Sequence, residues 1–284
     1  MKLLQVLQRA TSFLERAHVA RPRLEAELLL AHGLGIRRID LYLQFERPLA
    51  EGELTLLRDL LSRRAAGCPT AYLVGNREFY GITIGVATGV LIPRPETEQL
   101  VEIGLARLSA LGRPSRAADL GTGSGCLALA LASGRPDLTV DAVDISEIAV
   151  KQARENVERL GVGDRVTVAQ GSWAEPLRRR PQYDLIVSNP PYVTSEELQE
   201  LDRTVRDFEP KLGLDGGSDG LAAYRDLSLS LGSCVGPGTT VLLEGDPRRL
   251  PAVREIFLSA WPDSIPALHQ DLSHRDRVLE IILK

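Results

Sequence analysis

Apolar residues recur at helical spacing through the first part of the chain. Leu3, Leu7, Ala10, Leu14 and Ala17 fall on one face, which predicts an amphipathic helix. Pro22 suits the first turn of a second helix, where its missing N–H costs nothing. Leu24, Leu28 and Ala31 form its expected apolar stripe, with Gly33 and Gly35 as stop signals. A short segment around Ile39, Leu41 and Leu43 is ended by Pro48. Leu54, Leu57 and Leu61 mark a last helix that stops at Gly67, before Pro69. The expectation is a small helical bundle over residues 1–70, with no catalytic constellation of its own.

The pattern then changes period. Phe79, Tyr80, Ile82, Ile84 and Val86 fit extended structure, with turns near Gly75-Asn76 and Gly81. A β-hairpin linker over residues 71–92 is expected. Ile92-Pro93-Arg94-Pro95 forces an extended entry, and Glu96-Thr97-Glu98 suits the electropositive first turn of a helix running to about Ala110. Strands are then expected at Ala117–Leu120, Thr139–Ile145, Val166–Ala169, Tyr183–Ser188, Thr239–Glu244 and Arg277–Leu283. Helices are expected at Cys126–Ser133, from Ser146 to Leu160, at Leu221–Leu231 and at Leu250–Ala260. This alternation implies an α/β domain over residues 93–284, built on a mostly parallel sheet with helices on both faces. Ligands of such sheets bind beyond the carboxyl ends of the strands.

Composition narrows the class. With 44% hydrophobic and 25% charged residues in 284, the chain can bury a real core. A net charge of −4 gives no overall pull on a phosphate backbone, so DNA is not an expected partner. Cys68, Cys126 and Cys234 stand far apart without metal-type spacing, which suits a reducing compartment. No apolar run approaches the ~18 residues of a membrane span. The N-terminal segment reads as a mature helix rather than a signal peptide. A cytoplasmic protein with no membrane partner is expected, and a monomer.

Four segments carry chemistry. Asp119-Leu120-Gly121-Thr122-Gly123-Ser124-Gly125 follows a strand and opens a helix. Alternating glycines let the backbone come close to a ligand, and the helix start adds unpaired N–H groups. Asp119 is placed to accept from a ligand ammonium. Asp144 ends the next strand, where a carboxylate either takes both hydroxyls of an adenosine ribose or caps the helix that follows. After the strand beyond it, Gly171-Ser172-Trp173 puts an indole where it can cover an adenine, with Ser172 at its edge, or simply join the core. The fourth is Asn189-Pro190-Pro191-Tyr192. Two prolines stiffen this loop and remove two donors. The Asn189 side-chain oxygen and the Pro190 carbonyl could then accept both N–H bonds of a planar amide, with Pro191 and Tyr192 completing the cradle. That would turn the amide nitrogen toward an electrophilic methyl at near-attack distance.

Together, DLGTGSG and NPPY resemble the pattern of S-adenosylmethionine methyltransferases acting on planar nitrogens. AELLLAHGLG, GNREFYG, IPRPETEQLVE, NPPYV and FEPKLGLDGGSDGL are similar to segments of the release factor N5-glutamine methyltransferases (the HemK/PrmC family), in the same order and over nearly the whole chain. The resemblance implies a Rossmann-like fold with a seven-stranded, mostly parallel sheet. It implies methyl transfer to the glutamine of the GGQ motif in class 1 peptide chain release factors, with S-adenosylhomocysteine as product. Carried over by position, Asp119, Gly121, Thr122, Gly123, Ser124, Gly125, Asp144, Ser172, Trp173 and Asn189 would bind the cofactor. Asn189, Pro190, Pro191 and Tyr192 would hold the glutamine, with Asn189 and Pro190 as the catalytic pair, and the bundle would help grip the release factor.

A sulfonium methyl is already activated, so no metal is expected. A sister family methylates a glutamine of a large-subunit ribosomal protein, but PRPETE favours the release-factor branch. An adenine-N6 DNA methyltransferase also uses an NPPY loop, and the acidic charge argues against it. A non-catalytic sensing or docking module is the reading from another class, against which the intact NPPY stands. Arg94 and Glu96 either brace the site or meet substrate, or else form a structural salt bridge at a helix start. Two segments depart from the family pattern, Leu243–Pro247 and Asp271–Arg277. Both are expected to lie away from the methyl-transfer centre.

Overall fold

The structure is a computed structural model and describes residues 1–232 and 234–284. It divides into two units: Met1–Asn76 with Asp202–Phe208, and Arg77–Leu201 with Glu209–Lys284.

In the first unit, α1 (Leu3–Arg16) buries Leu3, Val6, Leu7, Ala10 and Leu14, the predicted face with Val6 added. It packs on α2 (Pro22–Leu34), which also meets α3 (Arg38–Leu43), α4 (Glu51–Ala65) and α5 (Thr70–Val74). Because α2 is surrounded, it buries Ala26, Leu29, Leu30 and Ala31, while the expected Leu24 and Leu28 are only half-buried. Gly33 does not stop this helix. A Cβ there would lie 2.7 Å from Leu57 Cδ2, so the residue serves the close approach of α2 and α4. The left-handed Gly35 makes the cap. Residues 71–74, expected within the hairpin linker, instead belong to the helix α5, with Pro69 at its N-cap and left-handed Gly75 closing it. The segment 202–208 contributes the single turn α9 (Arg203–Arg206) to this unit.

The hairpin joins β1 (Asn76–Phe79) to β2 (Ile82–Gly85) through Tyr80-Gly81, both at positive φ, as a type I′ turn requires. The chain continues through α6 (Glu98–Ala110), β3 (Ser115–Leu120), α7 (Cys126–Gly134), β4 (Leu138–Asp144), α8 (Glu147–Leu160), β5 (Val166–Gln170) and β6 (Leu185–Ser188). It ends with α10 (Ala222–Ser230), β7 (Thr240–Glu244), α11 (Leu250–Ala260), β8 (Ile265–Gln270) and β9 (Asp276–Ile282). These strands form a seven-stranded sheet in the order β5-β4-β3-β6-β7-β9-β8. Its first five strands are parallel, and β9 runs antiparallel to β7 and β8. The pattern of the chain predicted no strand at β8. An edge strand shows most of its residues to solvent and carries no apolar run.

Alternation along the strands serves two faces. Ala118, Leu120, Ile186, Val241 and Leu243 share a core with Tyr224 and Leu227 of α10 and Val253 and Phe257 of α11. Leu185 and Leu242 face the other way and meet α6 at Gly104. The strand order reverses between β3 and β6, so the loops leaving them diverge and open a crevice at their carboxyl ends.

Buried Asn156 of α8 ties the hairpin to the rest of this unit. Its Oδ1 accepts from Gly85 N at 2.9 Å, and its Nδ2 donates to Gly85 O at 2.9 Å and Ser124 O at 2.8 Å. Asn156→Ala is expected to lower stability by about 2–3 kcal/mol, since the substitution strands buried backbone groups. Denaturant titration checks this, and a loss below 0.5 kcal/mol (roughly the effect of a neutral surface change) would show that the three bonds contribute little.

Candidate functional site

The crevice holds a cavity of about 370 Å³, within the range of small-molecule sites. Its floor is the loop between β3 and α7. Gly121, Gly123 and Gly125 all have positive φ, and the N–H groups of Gly121 and Thr122 both donate to Val143 O at 2.9 Å. Gly121 Cα faces the Trp173 ring: a Cβ there would sit 3.4 Å from the indole. Gly121, Thr122, Gly123 and Ser124 line the cavity. Gly125 lies behind them as the N-cap of α7, against Ala153.

Asp119 does not reach the cavity lining. It is fully buried beneath the loop, where Oδ2 accepts from Thr122 Oγ1 at 2.5 Å and from Ala128 N at 3.1 Å. Burial, with Asp144 nearby, pushes its carboxyl up to about 7. Through Oδ2 Asp119 holds the shape of the glycine loop, while its buried Oδ1 has no hydrogen-bond partner.

Asp144 stands where β4 ends, on the cavity wall. One oxygen accepts from Gly123 N at 2.8 Å and the other from Ser146 N at 2.9 Å. A carboxylate offers about four acceptor sites, so two remain. The cap of α8 itself is Ser146, whose hydroxyl accepts from Ala149 N. Burial raises the Asp144 pKa. Beyond β5, Trp173 sits at φ 47°, an unusual conformation for a non-glycine residue. It lines the cavity with exposed Ser172 beside it, and also packs against the core. The indole thus joins the core and also faces the cavity.

On the far side stands the loop after β6. β6 lies beside β3 in parallel, with Asp119 opposite Val187, so the two loops emerge side by side. Asn189 and Pro191 line the cavity; Pro190 is buried, and Tyr192 packs into the core. Asn189 Nδ2 donates to Thr97 Oγ1 at 3.0 Å. The segment 214–222 backs this loop closely. Val193 N donates to Leu214 O and Gly216 N to Val193 O, while a Cβ on Gly216 would meet Pro191 O at 2.8 Å.

Sequence reasoning named Arg94 and missed its partner. Arg94 donates to Glu209 Oε1 at 2.6 Å, and Ile92 N to Glu209 Oε2 at 3.1 Å. This buried carboxylate brings Pro210, Leu212 and Gly213 to the rim. Glu96 is exposed. Thr97 and Glu244 were also missed, because a side-chain bond to Asn189 places the first and the pairing of β6 with β7 the second, and neither leaves a local signature. Glu244 corrects a second expectation, that residues 243–247 lie away from the centre. Ser188 pairs with Leu243, so the end of β7 arrives beside the Asn189 loop. There the Glu244 carboxyl is buried, its Oε2 has no hydrogen-bond partner, and burial pushes it up to about 7. In the other departure Asp271 closes a turn by accepting from Ser273 N and Arg275 N, and the Arg277 carbonyl accepts from Gly245 N at 3.0 Å. Among the described residues, no group of three or more His, Cys, Asp or Glu could hold a metal, and no helix is long and apolar enough to cross a membrane.

Comparison with known proteins gives this geometry a family. Residues 5–75 match the family described as the PrmC N-terminal domain, and residues 102–209 the methyltransferase small domain. The hMettl16 catalytic domain, solved in complex with MAT2A 3'UTR hairpin 6, is similar in fold alone. The TM-score is 0.54 at 17% identity, covering 80% of this chain and 82% of that one. The release factor glutamine methyltransferase of Nitratidesulfovibrio vulgaris is 44% identical over 216 residues, which cover 76% of this chain and 72% of the relative. That of Moorella thermoacetica is 40% identical over 277 residues, covering 98% of this chain and 97% of the relative. At such identity over almost the full length of a relative, the chain belongs to the release factor glutamine methyltransferase family.

Proposed function

We propose that this protein transfers a methyl group from S-adenosylmethionine to the side-chain amide nitrogen of the GGQ glutamine in class 1 peptide chain release factors. One observation carries the reading. The glycine loop and the Asn189 loop leave adjacent parallel strands and face one cavity, with the Asn189 amide nitrogen already engaged by Thr97. Family membership supports the choice of substrate.

The residues present fit S-adenosylmethionine. The two remaining acceptor sites of Asp144 suit ribose hydroxyls, and Trp173 offers a flat wall for adenine beside Ser172. Gly121, Thr122, Gly123 and Ser124 supply a floor without bulky side chains. When bound, the cofactor supplies a methyl carbon made electrophilic by a sulfonium sulfur, so the chemistry calls for no Lewis acid. The protein's work falls on the amide. An amide nitrogen is a poor nucleophile because its lone pair is delocalised into the carbonyl. Asn189 Oδ1 and the Pro190 carbonyl accept its two N–H bonds, which fixes the plane of the group. The same acceptors oppose the positive charge that grows on nitrogen as it reacts. Pro190 and Pro191 bring no N–H of their own, so nothing in the turn competes for those acceptors. Pro191 and Tyr192 hold the turn in place. The working form is a cytoplasmic monomer whose partner is the release factor, with the helical unit contributing to the grip.

Mass spectrometry of a class 1 release factor incubated with the protein and labelled S-adenosylmethionine should place one methyl on the GGQ glutamine. Equal labelling of a factor whose glutamine is changed to alanine would overturn the assignment. Label found only on a large-subunit ribosomal protein would move the chain to the sister activity. Asn189→Ala is expected to lower kcat by about 100-fold or more, the cost of a misplaced reactive group. Its cofactor affinity should change far less, and stopped-time assays beside calorimetry separate the two. Asp144→Ala is expected to do the reverse, weakening cofactor binding by about 10–100-fold, as the loss of hydrogen bonds to a charged acceptor implies. Calorimetry showing unchanged affinity would remove Asp144 from the cofactor site.

A further inference from the structure

We infer that Arg249 aims the Asn189 turn at the methyl donor, by holding in one place the three chain segments that meet behind that turn. The inference rests on the reading that this turn receives the substrate amide.

Prolines stiffen the turn, but they fix only its local angles. Where it points is set by the chain that follows it. Val193 N donates to Leu214 O at 3.0 Å and Ser195 N to Gly217 O at 3.1 Å, so residues 193–195 lie along residues 214–217. Thr194 and Glu197 then close on each other. Thr194 N donates to Glu197 Oε2 at 3.0 Å, and Glu197 N to Thr194 Oγ1 at 3.1 Å. Neither stretch is a strand of the seven-stranded sheet. Their position relative to it depends on side chains that reach across.

Arg249 makes that connection. It is the N-cap residue of α11, and its own N–H donates to Asp246 O at 2.9 Å, so its backbone is fixed just past the end of β7. Each nitrogen of its guanidinium goes to a different segment. Nη2 donates to Glu197 Oε2 at 2.5 Å, Nε donates to the Asp219 carbonyl at 3.3 Å, and Nη1 pairs with Asp246 Oδ2 at 3.2 Å. A planar fork with donors at fixed angles can serve three segments at once, whereas an ammonium is a point charge on a flexible stem. The guanidinium also lies against Gly220. A Cβ there would fall 2.5 Å from Arg249 Nε and 2.5 Å from the Tyr192 carbonyl. A single glycine thus separates the arginine from the main chain of the turn.

Its neighbour provides the contrast. Arg248 meets the same two carboxylates, Glu197 and Asp246, but its side chain is 69% exposed, against 13% for Arg249. Among the described residues, its bonds go to Glu197 and Asp246 and none reaches the segment 214–222. Exposed ion pairs of that kind contribute little. Arg249 does not line the cavity. It is a positioning residue, acting on the reaction only through the turn it supports.

The test compares Arg249→Gln, Arg249→Lys and Arg248→Gln in the full chain. For each, kcat and KM are measured on a class 1 release factor and cofactor affinity by calorimetry. Arg249→Gln should lower kcat by about 10–100-fold, the cost of acceptors shifted out of line, with a smaller change in KM. Its cofactor affinity should stay within about threefold of wild type, the range of a neutral change. Arg249→Lys keeps the charge without the fork, so its kcat should lie within about threefold of Arg249→Gln. Arg248→Gln should keep kcat within about threefold of wild type. Glu197→Ala, which removes the partner of Nη2, should lower kcat in the same direction. Combined with Arg249→Gln it should cost little more than Arg249→Gln alone, because the two act through one bond. If Arg249→Gln is no slower than Arg248→Gln, or if Arg249→Lys restores the wild-type kcat, the fork does not aim the turn. If Arg249→Gln loses cofactor affinity in step with kcat, Arg249 holds the unit together rather than the aim, and the inference is overturned as well. Asn189→Ala separates this inference from the reading beneath it. Transfer abolished there, with Arg249→Gln at the wild-type rate, overturns only the role of Arg249; transfer retained there overturns the substrate reading too.

Discussion

The parallel pairing of β3 and β6 is the constraint on which the site depends. Strands that are neighbours in the sheet but far apart in sequence place their outgoing loops side by side, and the sheet's order reverses between these two. The glycine loop after β3 has room to bend into the crevice because its neighbours turn away on either side. The proline loop after β6 meets it there. Ser188 reinforces the junction, since its buried hydroxyl donates to Leu120 O at 2.6 Å, tying the last residue of one strand to that of the other. Asp144 and Trp173 follow from the same geometry, on the loops after β4 and β5.

Around this junction the protein uses buried carboxylates as fasteners. Asp119 shapes the glycine loop, Asp144 ties that loop to the start of α8, and Glu209 ties the entry loop to the rim. A surface version of the same device holds the segment after the Asn189 loop. Glu197 pairs with Arg248 and Arg249, which also pair with Asp246. Asp246 lies in one of the two departing segments, and through this ion-pair cluster it helps join the two loops.

What could be read from the chain was what glycine and proline punctuate. DLGTGSG and NPPY announced their loops because only those residues satisfy the backbone there, and the helical unit announced itself through the stripe on α1. The missed features had another origin. β8 is an edge strand with an exposed pattern. Gly33 looked like a stop because its contact with Leu57 is tertiary. The short helix α5 hid in a stretch that local composition marks as a link. Asp119 was expected at a ligand because it precedes the glycines, and its hold on the loop through Thr122 and Ala128 was not legible in the sequence. Thr97 and Glu244 are ordinary residues at a helix start and a strand end; a tertiary hydrogen bond joins Thr97 to Asn189, and the register of β6 with β7 brings Glu244 beside that loop.

The glycine-rich run behind the Asn189 loop shows how such composition can mislead. Asp215-Gly216-Gly217-Ser218-Asp219-Gly220 suggests slackness, yet a methyl group on Gly216 would strike the Pro191 carbonyl, and one on Gly220 would lie 2.5 Å from the Tyr192 carbonyl. These glycines mark closeness rather than freedom. They let one stretch of main chain lie flush against another, like an anvil under the piece being worked. The Asn189 loop thus rests on main chain, which has no rotamers through which to yield.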